Sequence, residues 1–221
     1  MSDEDLARNA PVIVLAEAVE NRARLDASDP HPQTVTTFRV LDVLKGTSPA
    51  STFWLVLPGG EAGDQIFQVP GRPEFAPGQH FVLFLFPLEG RRDEYGLTEF
   101  ALSVFDVMRD PAGTLFAVRT QFQTGEEMIL SADGSAPAVP DHIRPLEAFV
   151  AALRVAGTGR PLPAIERAAP NGPLVAARAG REALWGNIGG TENGSNNLFR
   201  WFWDRVHPRT PSLCRTAHRR I

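Results

Sequence analysis

The segment His80–Phe86, HFVLFLF, is apolar at odd and even positions alike. A strand with one wet face alternates apolar and polar residues; a strand that does not alternate needs cover on both faces. The chain must therefore place this segment at the centre of a sheet, with a layer on each side. A membrane helix needs about 20 apolar residues. The longest apolar stretch here, Phe81–Pro87, is only strand-sized.

The neighbouring segments supply further strands. Pro11–Val19 is rich in Val, and Thr34–Leu44 is β-branched and closed by Lys45-Gly46. Ser51–Leu57, Asp64–Val69, Tyr95–Met108 and Thr114–Gln121 also read as strands. The turns between them are Pro58-Gly59-Gly60, the proline-rich crossing 70–79 and the hairpin loop 110–113. Residues 21–33, polar and carrying Pro30 and Pro32, predict a loop. Two helices flank the strands. Ser2 with Asp5 has the form of a capping box, which predicts a helix to about Arg8. Leu146, Phe149, Val150 and Leu153 recur at helical spacing and predict a helix to Val155, lying across one end of the barrel and stopped by Gly157 and Gly159.

Charge divides the chain. Of 221 residues with net charge -4, residues 197–221 hold six Arg against one Asp, a local +5. Residues 1–196 hold 16 basic against 25 acidic side chains, a net of -9. An acidic body opposes nucleic-acid binding, which draws its affinity from clustered Lys and Arg. Lys45 is the only lysine beside 21 arginines. Cys214 is the only cysteine, which excludes an internal disulfide and a cysteine-based zinc site. Gly157 to Asn197 is rich in Ala, Gly, Pro and Asn, the composition of a linker.

Motifs that carry catalysis are missing. The five histidines, His31, His80, His142, His207 and His218, include no His-Glu-x-x-His pair. No Gly-x-Ser-x-Gly elbow occurs, and Ser103, His80 and Asp106 are better read as ordinary strand residues than as a triad. Gly157-Thr-Gly159-Arg160 lacks the remaining residues of a phosphate loop. Glu126 and Glu127 are adjacent on a predicted turn, without the unequal environments that an acid–base pair requires. Trp185, Phe199, Trp201, Phe202 and Trp203 cluster near basic residues, in a pattern too irregular to fold alone. The expectation is no catalytic residue, no cofactor and no metal. Two loops, Pro58–Gly63 and Val69–Gln79, are left as the candidate contact surface, because prolines limit the entropy lost on binding.

The stretches Asp3-Glu-Asp-Leu-Ala-Arg-Asn-Ala-Pro-Val-Ile-Val, Phe38–Gly46, Leu57–Glu61, Val69-Pro-Gly71, Phe75–Leu85 and Pro145–Val150 fall in a familiar order. In that order the chain resembles a bacterial exported domain found ahead of, or encoded beside, matrixin-type zinc metalloproteases. That domain is similar to the OB-type barrel of tissue inhibitors of metalloproteases and netrin-like modules. The inhibitors chelate the protease zinc through an N-terminal cysteine that this sequence lacks, so that mechanism does not carry over.

The expected fold is mainly β: an OB-like, partly closed antiparallel barrel over 1–155, with a short N-terminal helix and one later helix. A flexible linker over 156–197 and an unstructured basic tail over 198–221 follow. The resemblance implies a non-enzymatic binding or regulatory module, exported and linked to a metalloprotease or another protein. A second reading is the N-terminal remnant of a matrixin-type metalloprotease without its catalytic domain. Leu198–Phe202 looks like the entry to such a domain, and the Arg-rich residues after it suggest a changed reading frame near Trp203. Met1-Ser-Asp-Glu-Asp is not a leader, so the expectation is an extracytoplasmic protein whose leader is missing from this chain, or otherwise a cytoplasmic one. The third reading, an OB-type oligonucleotide binder, is opposed by the acidic body.

Overall fold

The computed structural model describes residues 2–26, 29–47, 49–119 and 142–178. Along the chain these form α1 (Asp3–Asn9), β1 (Val12–Asp26), β2 (Asp29–Lys45), β3 (Thr52–Pro58), β4 (Gly60–Ala62), β5 (Gln65–Phe67), β6 (His80–Pro87) and β7 (Glu94–Leu97). After them come β8 (Val104–Arg109), β9 (Leu115–Val118), β10 (Ile143–Pro145), α2 (Leu146–Gly157) and β11 (Val175–Ala176). The expectations for the tail, for Glu126 and Glu127 and for the late aromatic cluster lie outside the described residues.

β6 is the central strand that its sequence requires. It pairs with β1 along one edge and with β7 and β8 along the other. Phe81, Leu83 and Leu85 join Val14, Ala16, Phe38, Phe53 and Leu55 in one core. Val82 and Phe84, on the opposite face, are equally buried. There α2 covers the sheet: Phe149 lies 4.7 Å from the Phe105 ring and 6.4 Å from that of Phe84. Each such buried side chain contributes roughly 1.5–3 kcal/mol, so the two-sided burial of β6 anchors both layers. The helix thus lies on a face of the sheet rather than across an end.

The pairing order β1-β2-β3-β7-β6, with β6 returning to β1, partly closes the sheet into a ring. All these pairs are antiparallel except β3 with β7, which run parallel at Trp54–Leu55. The sheet then continues from β6 through β8, β9 and β10. The architecture is mainly β with two helices, as expected.

Three local expectations give way. Residues 21–33 belong largely to the arms of one long hairpin, with Asn21 opposite Thr36 and Arg24 opposite Gln33. Their polarity hid the strands because both faces there are polar. Tyr95–Met108 is broken by a 3-10 turn, Phe100–Ser103, because β7 pairs with Leu85–Pro87 while β8 pairs with Phe81–Leu83. Beyond residue 155, part of the stretch expected as linker joins the sheet: β11 pairs with β8, and Arg178 bridges Gln79.

The N-terminal helix forms as its capping box requires. Asp5 N–H donates to Ser2 Oγ (3.1 Å), and Ser2 N–H reaches back to the Asp5 carboxylate. That carboxyl is held below its usual range by the Ser2 hydrogen bonds. At the other end Lys45 Nζ donates to the carbonyls of Ala7 (2.6 Å) and Arg8 (3.1 Å), acceptors that the helix leaves open.

Candidate functional site

The inner face of the ring is apolar along β1 from Val12 to Ala18 and then changes character. After an irregularity between Ala18 and Glu20, the register places Asn21 opposite Thr36 and Ala23 opposite Thr34. These residues line the mouth of the ring, where the crossing 72–79 passes over them. Asn21, Thr36, Leu57, Arg72, Phe75 and Gln79 border a groove of about 600 Å³. A second groove of about 530 Å³ shares Gly60, Glu61, Arg72 and Glu74 with the first and continues along β5. The loops singled out from sequence, Pro58–Gly63 and Val69–Gln79, therefore come together on one surface.

Two short relays of hydrogen bonds hold that surface. Thr36 Oγ1 donates to Asn21 Oδ1 (2.7 Å), and Asn21 Nδ2 donates to the Phe75 carbonyl (2.6 Å). Arg72 Nη1 donates to Thr34 Oγ1 (2.8 Å), whose own proton goes to the Gly59 carbonyl (2.7 Å). The backbone adds Gly78 N–H to Ala18 O (2.8 Å) and Ala18 N–H to Gln79 O (2.9 Å). Gly60, at φ +140°, sits so close to Thr34 that a Cβ would come within 2.8 Å of its hydroxyl oxygen. The crossing is therefore fixed to the hairpin by side chains whose polar atoms are already engaged.

The residues considered for catalysis do not converge. Ser103 is buried and its hydroxyl accepts the Glu99 N–H (2.6 Å), closing the 3-10 turn. Pairing of Leu83 with Val104 sets Ser103 about four residues along β6 from His80, on the order of 13 Å at strand rise. Asp106 pairs with Phe81 in the ladder. Among the described residues, no group of three His, Cys, Asp or Glu could hold a metal ion.

His80 has its own environment. It is 3% exposed, its Nε2 lies 3.6 Å from Glu17 Oε2, and Glu17 also accepts a short hydrogen bond from Arg39 Nη2. The buried atoms His80 Nδ1 and Arg39 Nε have no hydrogen-bond partner. Burial pushes the imidazole below its usual pKa, against the pull of Glu17. His31, expected in a loop, lies on β2 and stacks on Phe67 of β5 at 4.7 Å.

No protein-family model matches the chain, and no curated protein matches it. The groove itself is assembled from residues that sequence reasoning placed apart. Asn21 and Thr34 were hidden by the loop assigned to 21–33 and by the strand start at Thr34. The available signal was the small-residue alternation Ala16, Ala18, Ala23, whose shift of phase marks where β1 leaves the apolar interior.

Proposed function

We propose that this chain is a non-catalytic binding or regulatory module whose working surface is the groove at the mouth of the ring. The observation that carries the reading is the convergence of the two loops over a continuous pair of grooves, with Arg72 at their junction. Mouths of β-barrels are preferred places for binding. The crossing is pre-ordered by its prolines and by the Asn21 and Arg72 hydrogen bonds, which lowers the cost of docking a partner. A fold of this kind hosts many roles, so the argument rests on the surface rather than on the architecture.

The sequence resemblance suggests a metalloprotease as the partner and an extracytoplasmic location. The test is recovery of partners from the source organism with the full chain and with Arg72→Ala, which frees the crossing from Thr34 without adding a carboxylate. A stoichiometric metalloprotease recovered by the wild type and lost with the variant is the expected result. Equal recovery by both proteins would refute the groove as the working surface. Hydrolysis of a peptide library by the purified chain would refute the non-catalytic role.

A further inference from the structure

The second groove runs along a strand with an open edge. β5 pairs with β4 on one side, Gln65 to Ala62, Ile66 to Glu61 and Phe67 to Gly60. The ladder alternates, so Gln65 and Phe67 direct their backbone groups at β4 while Ile66 directs its own at the outer edge, where among the described residues they meet no backbone partner. Edge strands are usually blunted by shortness or by lysine, proline or a bulge, and β5, at three residues, is short. It carries no lysine, proline or bulge, and Ile66, at 68%, is the most exposed of the large apolar side chains among the described residues. The strand is held in place from behind by the stacking of Phe67 on His31.

Carboxylates outnumber cations around this edge: residues 60–74 hold Glu61, Asp64 and Glu74 against Arg72. Glu61, Asp64 and Glu74 are exposed and, among the described residues, take part in no ion pair. Arg72, which lines the same groove, is hydrogen bonded to Thr34. A second copy of this chain adding edge to edge would bring two such carboxylate sets together, which opposes self-pairing. A strand bearing Lys or Arg would neutralise them.

We propose that an extended segment of a partner protein, with Lys or Arg flanking an apolar residue, adds to the outer edge of β5, its backbone pairing with Ile66 and its apolar side chain covering the Ile66 side chain. This inference rests on the reading of the groove as the working surface and names what the groove takes. Main-chain pairing supplies affinity in such strand addition, and side chains supply selection.

The probe is an acetylated and amidated pentapeptide with alternating Lys and Val, titrated into the isotope-labelled full chain while backbone amide shifts are followed. Shifts are expected to cluster on residues 60–74. Binding should weaken about tenfold, the equivalent of roughly one net hydrogen bond, when the Val amides are N-methylated. A similar loss is expected when Glu replaces Lys in the peptide, or when Ile66→Asn or Glu61→Lys is made in the chain. Both positions are exposed, so the variants keep the fold. No shifts, shifts elsewhere, or equal binding of the N-methylated peptide would overturn strand addition. If that happens while Arg72→Ala still loses the captured partner, the groove remains the working surface and only its proposed occupant is wrong.

Discussion

Asp3 and Arg144 stand 141 positions apart and are joined by a 2.8 Å hydrogen bond from the guanidinium Nε to Asp3 Oδ2. The other carboxylate oxygen accepts from Arg119 Nη2 at 2.9 Å. All three side chains are about nine-tenths buried, and the Arg119 guanidinium lies 4.6 Å from the centre of the Phe105 ring. The N-terminal helix is thereby locked to β9 and β10. Asp3→Ala leaves two buried cations without this counter-charge. Breaking such a contact costs about 3–5 kcal/mol. Urea unfolding should show the midpoint falling accordingly. A loss below about 1 kcal/mol would mean that burial of Leu6 and Ala7 holds the helix by itself.

The mouth of the ring makes a second prediction. Asn21→Ala removes the donor to the Phe75 carbonyl and leaves the Thr36 hydroxyl without its acceptor. Leaving buried polar groups unpaired costs about 1–3 kcal/mol. The loss should be local as well as global, with amide hydrogen exchange of Ala76–Gln79 rising before that of β6. Asn21→Asp retains the acceptor for Thr36 and loses the donor to Phe75, so it should loosen the crossing while sparing the hairpin. Unchanged exchange in both variants would show that Gly78 and Gln79 fix the crossing through backbone bonds alone.

Much of this architecture was legible because hydrophobic pattern reports burial directly. HFVLFLF has no wet parity, and β6 has none from His80 to Leu85; Phe86 emerges into solvent at the strand's end. Ser2 and Asp5 announced a helix through local hydrogen bonds, which need no distant partner. Residues 21–33 were illegible because the hairpin arms there are held by polar pairs, among them Arg24 bidentate on Glu94 at 2.7 Å, a contact spanning 70 positions. No local pattern encodes such a contact. The loops of the candidate surface could be named from their prolines and glycines. Their meeting with Asn21, Thr34 and Thr36 depended on the ring closing, which only the tertiary pairing determines.

Glycine geometry separates two positions that look alike in sequence. Gly46, at φ +82°, closes β2, and a Cβ there would lie 2.1 Å from the Pro11 carbonyl oxygen, a backbone atom that cannot swing away. Gly63, at φ +65°, has open space around it. Gly46→Ala should cost more than the roughly 1–3 kcal/mol of left-handed strain alone, because β1 must also move. Gly63→Asn, a residue tolerant of that conformation, should cost only a few tenths of a kcal/mol. Thermal unfolding of the two variants should separate them clearly. Equal midpoints would refute the close approach of Gly46 to Pro11.

Buried His80 sets the pH dependence. Burial lowers its folded-state pKa below the ordinary 6.5, outweighing the attraction of Glu17, while Arg39 adds to the opposition. Below about pH 6.5 the unfolded chain therefore binds a proton that the folded chain resists, and stability falls with pH. The contribution is complete above 6.5 and is lost as pH drops toward the folded-state value. Glu94, held below its ordinary 4.5 chiefly by the Arg24 hydrogen bonds, acts in a separate and lower window. Its contribution is present above 4.5 and is lost as pH falls through its own depressed value. Melting temperature measured from pH 7 to about pH 5 should decline in the wild type and stay nearly flat in His80→Phe. Glu17→Gln removes the attraction that favours the imidazolium, so the decline should extend further into acid. A wild-type curve that is flat across this interval would mean that His80 takes up its proton within the fold, sharing the Glu17 carboxylate with Arg39.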